Sequence, residues 1–354
     1  MVESAIEARK LVITAPGQIG FERLALPQPE PGQVLARSFL SGISHGTEMT
    51  AYLGTSPFVE KTITKHRTFQ PRVDGAAFYP FRYAGYELIG EVIALGEGVE
   101  NFCIGDRVWF PAQHQTHFVF EANDPQAFRF SASFPLEAGA MINLSSIALG
   151  AVLDAEVKLG DTVVVFGGGT VGQLVVQLAF LSGAQRVFLV EPSEERRAFA
   201  TAKSAVETFD SQDGNLVSVL LSRNEGRSPD VVIECSGTIP GLRGALQAAG
   251  VAGRVVAAGF FAGGTAGLTL GEEFLHNRIT LLPSMWVWDC PSRWPERWDR
   301  NRLLHQAFHL LESGRLIVEG FVTSRFPFEN AQEAYEAIAR EPHKHMKAVL
   351  TFAA

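Results

Sequence analysis

The chain has 354 residues, which is enough for two domains with buried cores. Lysine and arginine total 30 and aspartate and glutamate 38, and the net charge of −8 argues against a protein that binds a nucleic-acid backbone through a basic face. A hydrophobic fraction of 46% and a charged fraction of 19% exclude a disordered chain.

Cysteine usage and the N-terminal segment predict a cytoplasmic protein. Cys103, Cys235 and Cys290 lie far apart with no C-x-x-C spacing, which excludes a disulfide scaffold and a cysteine-rich structural zinc lobe. Residues 1–10 carry four charged side chains and no apolar core, unlike a signal peptide. Residues 255–271 are the most apolar stretch, but they include five glycines and are too short to span a membrane.

The first half of the chain predicts a β-rich domain. Short β-prone runs at 10–14, 33–39 and 86–94 are separated by proline- and glycine-rich turns. Residues 55–82 are rich in basic and aromatic side chains and predict an inserted loop, which is either solvated or a flap over a substrate.

After about residue 145 the pattern changes to strands that alternate with helices, which is typical of a parallel sheet covered on both faces. The predicted strands are 161–166, 186–190, 230–235, 253–258 and 277–282. Near the C-terminus we expect helices at 305–313 and 330–340 and strands at 321–326 and 347–352.

A glycine-rich turn carries the strongest functional signal. Gly167, Gly168, Gly169 and Gly172 form G-x-G-x-x-G directly after the apolar run 163–166 and open an amphipathic helix. In that context Gly167 permits the tight turn, Gly169 lets the backbone approach a pyrophosphate, and Gly172 permits close helix–strand packing. Free N–H groups at the helix start would hold the phosphates. We also assign four further residues to the cofactor site: Thr170, Val171, Ser236 and Gly259.

The residue that ends the next predicted strand favours NAD. Glu191 lies 24 residues after Gly167 (191 − 167), where an acidic side chain accepts the ribose hydroxyls and repels a 2′-phosphate. Arg196 and Arg197 follow closely and could counter that repulsion, so NADP stays possible.

Six segments in this order resemble the medium-chain dehydrogenase/reductase superfamily: 42–48 (GISHGTE), 85–92 (GYELIGEV), 105–108 (GDRV), 167–172, 230–237 (DVVIECSG) and 326–335 (FPFENAQEAY). The resemblance implies a GroES-like catalytic domain, residues 1–145 and 299–354, around a Rossmann domain, residues 146–298. It also implies a cleft between the domains where substrate and nicotinamide meet, Ser146 against the nicotinamide, and a homodimer through the sheet edge at 281–287.

The chain departs from the zinc alcohol dehydrogenases at each ligand position of that branch. Ser44 or His45 stands at the first position, Tyr86 at the second and Ile142 at the third. Zinc needs three nitrogen, sulfur or oxygen ligands with an open fourth position, which these residues do not supply, so we expect no metal. The pattern resembles a zinc-lacking group that includes the 2-desacetyl-2-hydroxyethyl bacteriochlorophyllide a dehydrogenases.

Without zinc, organic side chains must handle the oxygen of the substrate. Tyr86, His45 and Ser44 are the candidates, and Glu87 and Glu48 are expected to orient them. Tyr86 would need a lowered pKa to act as a base, and the alternative is that it fills the vacated zinc cavity. For His45, which is best matched to neutral pH, the alternative is a hydrogen-bonded loop residue. His114 and His117 are interpreted as structural residues.

The leading hypothesis is an NAD-dependent, zinc-independent enzyme that interconverts a secondary alcohol and a ketone. The alternatives are an NADPH-dependent quinone- or enoyl-type C=C reductase and a non-enzymatic nucleotide-binding protein. Four of the five tryptophans lie between residues 286 and 298, where they either bury a dimer contact or line a pocket for a bulky or planar small molecule.

Overall fold

The chain folds into two units, which we describe in a computed structural model for residues 6–73, 77–286 and 297–353. The first unit contains Met1–Asn143 and Val318–Ala354, and the second contains residues 144–317. The predicted boundary after residue 145 lies within two residues of the observed one. The other lies 19 residues beyond the expected position (317 − 298), and within the second unit Gln177 exchanges two hydrogen bonds with the Ile317 backbone, at 3.0 and 2.8 Å.

The first unit is built mainly of strands, as its turn-rich sequence predicts. They are β1 (Ile6–Ala15), β2 (Gln18–Leu26), β3 (Gln33–Gly42), β4 (Lys61–Ile63), β5 (Phe69–Pro71), β6 (Leu88–Leu95), β7 (Arg107–Phe110), β8 (His117–Glu121), β9 (Phe128–Arg129), β16 (Val322–Pro327) and β17 (Lys347–Thr351). A seven-stranded sheet has the order β16-β17-β3-β6-β7-β9, with β8 paired to β3. Strands from both ends of the chain therefore share one sheet.

Two small antiparallel sheets complete the strands of this unit. One is the β1–β2 hairpin and the other is β4–β5, in which Lys61 pairs with Pro71 and Ile63 with Phe69. The β4–β5 hairpin lies in the segment 55–82, for which the sequence predicted a loop or flap without strands. Its short, mostly exposed strands give a weak periodic signal, which explains why the hairpin was missed.

Three short helices accompany these strands: α1 (Thr47–Tyr52), α2 (Leu136–Gly139) and α10 (Ala331–Arg340), the last preceded by a 3-10 turn at Phe328–Asn330. One face of α10 is fully buried and includes Ala334, Tyr335 and Ile338. This face packs in one apolar cluster with Ile43 of the loop after β3 and Met49 of α1. The core therefore fixes α1 and α10 around the loop that follows β3.

The second unit contains a six-stranded sheet whose strands all run parallel. They are β10 (Thr162–Phe166), β11 (Arg186–Val190), β12 (Glu207–Phe209), β13 (Val231–Glu234), β14 (Arg254–Ala257) and β15 (Thr280–Pro283). The order β12-β11-β10-β13-β14-β15 is the doubly wound 3-2-1-4-5-6 arrangement, so the predicted Rossmann fold is confirmed.

Helices connect successive strands of this sheet, and one further helix precedes the first strand and another follows the last in the chain. They are α3 (Ile142–Ala155), α4 (Thr170–Leu181), α5 (Glu194–Lys203), α6 (Leu216–Arg223), α7 (Ile239–Ala248), α8 (Glu273–His276) and α9 (Arg300–Glu312). In α4, Leu174, Val175 and Leu178 are buried, as the 3.6-residue spacing predicts. Gly183, at φ +103°, ends this helix in the left-handed conformation that favours glycine.

The tryptophan-rich segment is described only in part. Two of its tryptophans, Trp288 and Trp294, lie outside the described residues. The same is true of Val287, the last residue of the expected subunit edge. Trp286 packs inside the second unit, where its Nε1 donates to Asp154 Oδ2 at 2.8 Å and its ring leaves no room for a Cβ on Gly150. This ring therefore has a packing role within its own unit. No helix in the described part of the chain is long and apolar enough to cross a bilayer.

Candidate active site

The glycine-rich turn has the geometry of a phosphate-binding loop. Gly167 follows β10 with φ +95°, and a Cβ on Gly172 would lie only 1.8 Å from Gly167 O. A Cβ on Gly169, by contrast, would meet nothing closer than Arg196 Nη1 at 3.8 Å. Gly172 is thus required for the turn itself, whereas Gly169 leaves open space where the predicted pyrophosphate would lie, at the start of α4.

Glu191 ends β11 beside this turn, as predicted. Its Oε2 accepts a hydrogen bond from Gly168 N at 2.5 Å and its Oε1 one from Ser193 N at 3.0 Å. A carboxylate has about four acceptor positions, so two remain for ribose hydroxyls. Arg197 Nη1 donates to the Glu191 carbonyl at 2.6 Å. Arg196, whose Nη1 would lie 3.8 Å from a Cβ on Gly169, is the cation beside the open space at that glycine.

The ends of β13 and β14 bring Ser236 and Gly259 to the same turn. A Cβ on Gly167 would lie 2.7 Å from Ser236 N, and one on Gly259 would lie 2.2 Å from Gly237 N. Glu234, which the sequence analysis did not single out, accepts from Ser236 N at 2.7 Å and Gly237 N at 3.2 Å. Burial raises the pKa of this carboxyl. Glu234 could have been found from the sequence, because it is an acidic residue at the carboxyl end of a predicted buried strand.

Ser146 also belongs to the second unit, where its side chain is buried on α3. Its position against the nicotinamide stays a prediction.

In the first unit, a cluster of hydroxyl groups forms where β3 ends and β6 begins. These strands are antiparallel neighbours, so the loop after β3 and the residues before β6 lie side by side. The side chains of Ser44 and Thr47 lie close enough to the phenol of half-buried Tyr86 to lower its pKa. The structure therefore brings the predicted residues Tyr86 and Ser44 together and adds the exposed Thr47. It favours Ser44 over the half-buried His45 as the partner of Tyr86.

The surroundings of Tyr86 favour the protonated phenol. Burial is the largest influence and raises the pKa of Tyr86 well above its usual value, and the charges of Glu87 and Glu48 raise it further. The hydrogen bonds from Ser44 and Thr47 act in the opposite direction and only partly offset this. A base needs a lowered pKa, so these surroundings argue against the role of base that the sequence left open for Tyr86.

Glu48 is the centre of a buried polar network. Its Oε1 accepts from Ser44 N at 2.9 Å, and its Oε2 lies 2.7 Å from His114 Nε2 and accepts from Tyr335 OH at 2.6 Å. Burial by itself would raise the pKa of Glu48, but His114 and these hydrogen bonds lower it below its usual value. At the start of α1, Ser44 Oγ in turn accepts a hydrogen bond from Thr47 N at 3.3 Å. This S-x-x-x-E exchange resembles a capping box.

Glu87, next to Tyr86, forms a buried ion pair with Lys347 of β17. Lys347 Nζ donates to Glu87 Oε2 at 2.8 Å, and both side chains are within about 1% of fully buried. A Cβ on Gly42 would lie within 2.8 Å of both partners. The predicted orienting role of Glu87 stays a prediction, and Lys347 was missed because its partner is 260 residues away.

Removal of the cation from this pair is expected to be strongly destabilising. Lys347→Met keeps the volume but leaves the Glu87 carboxylate buried without its cation, which costs about 3–5 kcal/mol. We expect urea unfolding at pH 7 to show this loss. The double variant Glu87→Gln/Lys347→Met should recover most of the stability, since no buried charge remains. If Lys347→Met and the double variant were equally stable, the buried charge of Glu87 could not be the cause of the loss.

Comparisons with known proteins agree with this architecture. Residues 170–301 match the family described as zinc-binding dehydrogenase. D-guloside 3-dehydrogenase of Escherichia coli K12 is 27% identical over 97% of this chain and 100% of that protein. (R,R)-butanediol dehydrogenase of Bacillus subtilis is 29% identical over 67% of this chain and 73% of that protein.

Solved structures share the fold. An Escherichia coli oxidoreductase of unknown specificity superposes with a TM-score of 0.78 at 18% identity, over 99% of this chain and 100% of that one. A Sinorhizobium meliloti zinc-binding dehydrogenase bound to NADP gives 0.71 at 19% identity over 98% and 99%. An Escherichia coli dehydrogenase in complex with NADH gives 0.72 at 21% identity over 98% and 99%.

Fold and relatives together define an oxidoreductase of the alcohol dehydrogenase type. The matches support the medium-chain dehydrogenase/reductase superfamily, as the sequence motifs predict. They do not favour the C=C reductase alternative.

The matched family implies zinc, but the residues at the Tyr86 site do not fit this metal. Among residues 6–73, 77–286 and 297–353, no three His, Cys, Asp or Glu side chains are grouped to hold a metal ion. Glu87 is paired with Lys347, and Glu48 already accepts from Tyr335 and the Ser44 backbone. Catalytic zinc needs three protein ligands and an open position, and hydroxyl groups occupy this site instead.

Proposed function

We propose that the chain is an NAD-preferring, zinc-independent dehydrogenase that interconverts a secondary alcohol and a ketone. The observation that carries this proposal is the grouping of the Tyr86 phenol with Ser44 and Thr47, on a loop whose Ser44 backbone is held by the buried Glu48 carboxylate. The open glycine turn with Glu191 beside it supports the nicotinamide cofactor, as do the neighbours that bind NADP and NADH. Glu191 supports NAD over NADP.

The relatives support a polyol or a glycoside as the substrate class. Their names include D-guloside 3-dehydrogenase, (R,R)-butanediol dehydrogenase and L-arabinitol 4-dehydrogenase, each of which acts on a hydroxyl group. We therefore propose a secondary hydroxyl on a polyhydroxylated or diol substrate. The bacteriochlorophyllide-type substrate suggested by the sequence motifs stays a prediction.

Ketone reduction needs one hydride and one proton, and the nicotinamide supplies the hydride when bound. The Tyr86 O–H would donate a hydrogen bond to the carbonyl oxygen, and that bond strengthens as negative charge develops there. The proton then passes to the alkoxide, which is more basic than the phenolate. Ser44 and Thr47 orient the phenol, and the exposed Thr47 hydroxyl can return a proton to it from water. Alcohol oxidation reverses these steps. His45, on the same loop, stays a second candidate acid.

Purified protein assayed without added metal tests this proposal. NADH oxidation is measured with a panel of hydroxyketones, simple ketones and enones, and the metal content of the same sample is determined. We expect turnover of hydroxyketones, less than a tenth of an equivalent of zinc, and no loss of activity with a chelator. Stoichiometric zinc together with chelator-sensitive activity would contradict the proposal, as would turnover of the enones alone.

The cofactor preference has its own test at Glu191. Glu191→Ala removes the charge that opposes a 2′-phosphate and leaves Arg196 near the turn, so we expect the NADH-to-NADPH affinity ratio to fall at least about 10-fold, or ~1.4 kcal/mol. Fluorescence titration with both nucleotides measures the ratio. Glu207→Ala, which removes a carboxylate from the edge strand β12, is the matched control and should leave the ratio unchanged. An unchanged ratio in Glu191→Ala would contradict the assignment.

A further inference from the structure

His114 lies at the centre of a buried hydrogen-bond chain, although the sequence predicts only a structural role for it. Its side chain is fully buried, with Nε2 2.7 Å from Glu48 Oε2 and Nδ1 2.5 Å from Ser41 Oγ. Ser41 belongs to β3 and Glu48 to α1, the two elements on either side of the Ser44 loop. Both ring nitrogens therefore contact the elements that fix this loop.

The imidazole also packs against the backbone that leads into Tyr86. A Cβ on Gly85 would lie 2.5 Å from His114 N and 2.9 Å from its Cγ and Nδ1. Gly85 has φ +94°, which favours glycine, and His114 N donates to Ala84 O at 3.0 Å. The position of the ring is thus defined from the Tyr86 side as well as from the Ser44 side.

Glu48 connects His114 to the hydroxyl cluster. One carboxylate oxygen contacts His114 and Tyr335, and the other accepts from the backbone of Ser44, which lies on the loop beside Tyr86. Loss of the His114 contact would leave a buried carboxylate short of a partner, which favours its rotation or protonation. Either change would alter the bond that fixes Ser44.

We propose that His114 is a positioning residue, which holds Glu48 so that the Ser44 loop orients the Tyr86 phenol for proton donation. The inference rests on the proposed function, because it requires Tyr86 to be the donor. His114 itself touches neither the substrate nor the cofactor and acts through two intervening side chains. Misplacement of a catalytic group by about 1 Å can cost about 10²-fold in rate, so this positioning matters for turnover.

The first test replaces the ring with an apolar side chain. In His114→Leu we expect kcat to fall at least about 10-fold while the NADH dissociation constant, set by the second unit, changes less than about twofold. His114→Gln, which keeps an amide donor for Glu48, should recover most of the lost turnover. The control Phe120→Leu lies in a different apolar cluster of the first unit. It should lower the melting temperature and leave kcat within about twofold.

A double-variant cycle separates positioning from general damage. If His114 acts through Tyr86, His114→Leu/Tyr86→Phe should have the same kcat as Tyr86→Phe alone, within about threefold. If instead the kcat losses of the two single variants multiply in the double variant, the inference is overturned and the proposed function stays intact. Should Tyr86→Phe itself keep full turnover, the proton-donor role of Tyr86 fails and the inference fails with it, whereas failure of the proposed function would show as turnover of the enones alone or as chelator-sensitive activity with stoichiometric zinc.

Tyr335→Phe provides an independent variant in case His114→Leu does not fold. It removes only the hydroxyl that donates to Glu48 Oε2 and leaves the buried ring in place. We expect a kcat loss of about 3- to 10-fold, again absent in the Tyr86→Phe background. An unchanged kcat in a folded Tyr335→Phe protein would also overturn the role assigned to the Glu48 network.

Discussion

Tyr86→Phe should lower kcat for ketone reduction at least about 10²-fold, the usual contribution of a positioned general acid. The variant keeps the ring and removes only the hydroxyl group beside Ser44 and Thr47. The NADH dissociation constant should stay within about twofold, because the glycine turn belongs to the other unit. Steady-state kinetics and nucleotide titration measure both quantities.

The pH profile of the unmodified enzyme gives a second measurement of the same role. Because the pKa of Tyr86 is raised by burial and by Glu87 and Glu48, the phenol stays protonated through neutral pH. A rate loss from its ionisation is therefore expected only above about pH 10, the ordinary value for tyrosine. Tyr83→Phe, an exposed tyrosine of the same unit, is the control and should leave kcat unchanged. Full activity of Tyr86→Phe would exclude a proton-donor role.

Gly172→Ala should damage both the fold and nucleotide binding. The added Cβ would lie 1.8 Å from Gly167 O, so the turn between β10 and α4 must shift. Overpacking of this kind costs about 1–3 kcal/mol, and we expect a lower melting temperature together with an NADH affinity reduced about 10- to 100-fold. Thermal unfolding and fluorescence titration measure the two effects.

Gly169→Ala separates nucleotide contact from folding. Its Cβ would meet nothing closer than 3.8 Å in the protein, and the backbone at Gly169 is extended, with φ −72° and ψ −175°. Stability should be nearly unchanged, while NADH affinity should fall because the methyl group occupies the predicted pyrophosphate position. Gly214→Ala, in open space at the surface, is the neutral control. Normal NADH binding by Gly169→Ala would place the pyrophosphate elsewhere.

Local sequence patterns were sufficient for most of the fold. Residues 162–166 form a buried strand because their side chains are mostly apolar and mostly β-branched, and the glycines after them permit the turn before α4. The end of β11 then placed Glu191 at that turn. Exposed or short elements gave no comparable signal, as the missed β4–β5 hairpin shows.

The catalytic residues were predicted only in part. Tyr86 and Ser44 could be found because they stand where a known motif differs from its zinc-binding form. The direction of the pKa change at Tyr86 could not be found, since it depends on burial and on two carboxylates brought close by the fold. His114 gave no sequence signal for the same reason.

The sequence by itself determined the nucleotide-binding turn, the parallel sheet and the residue types available for catalysis, because each depends on side-chain periodicity or on neighbours within about 25 residues. Only the tertiary structure decided which charges meet. Lys347 reaches Glu87 across 260 residues, and Tyr335 reaches Glu48 across 287. Electrostatic interactions depend on distance and burial rather than on separation along the chain, so the direction of the pKa shift at Tyr86 depends on the folded first unit.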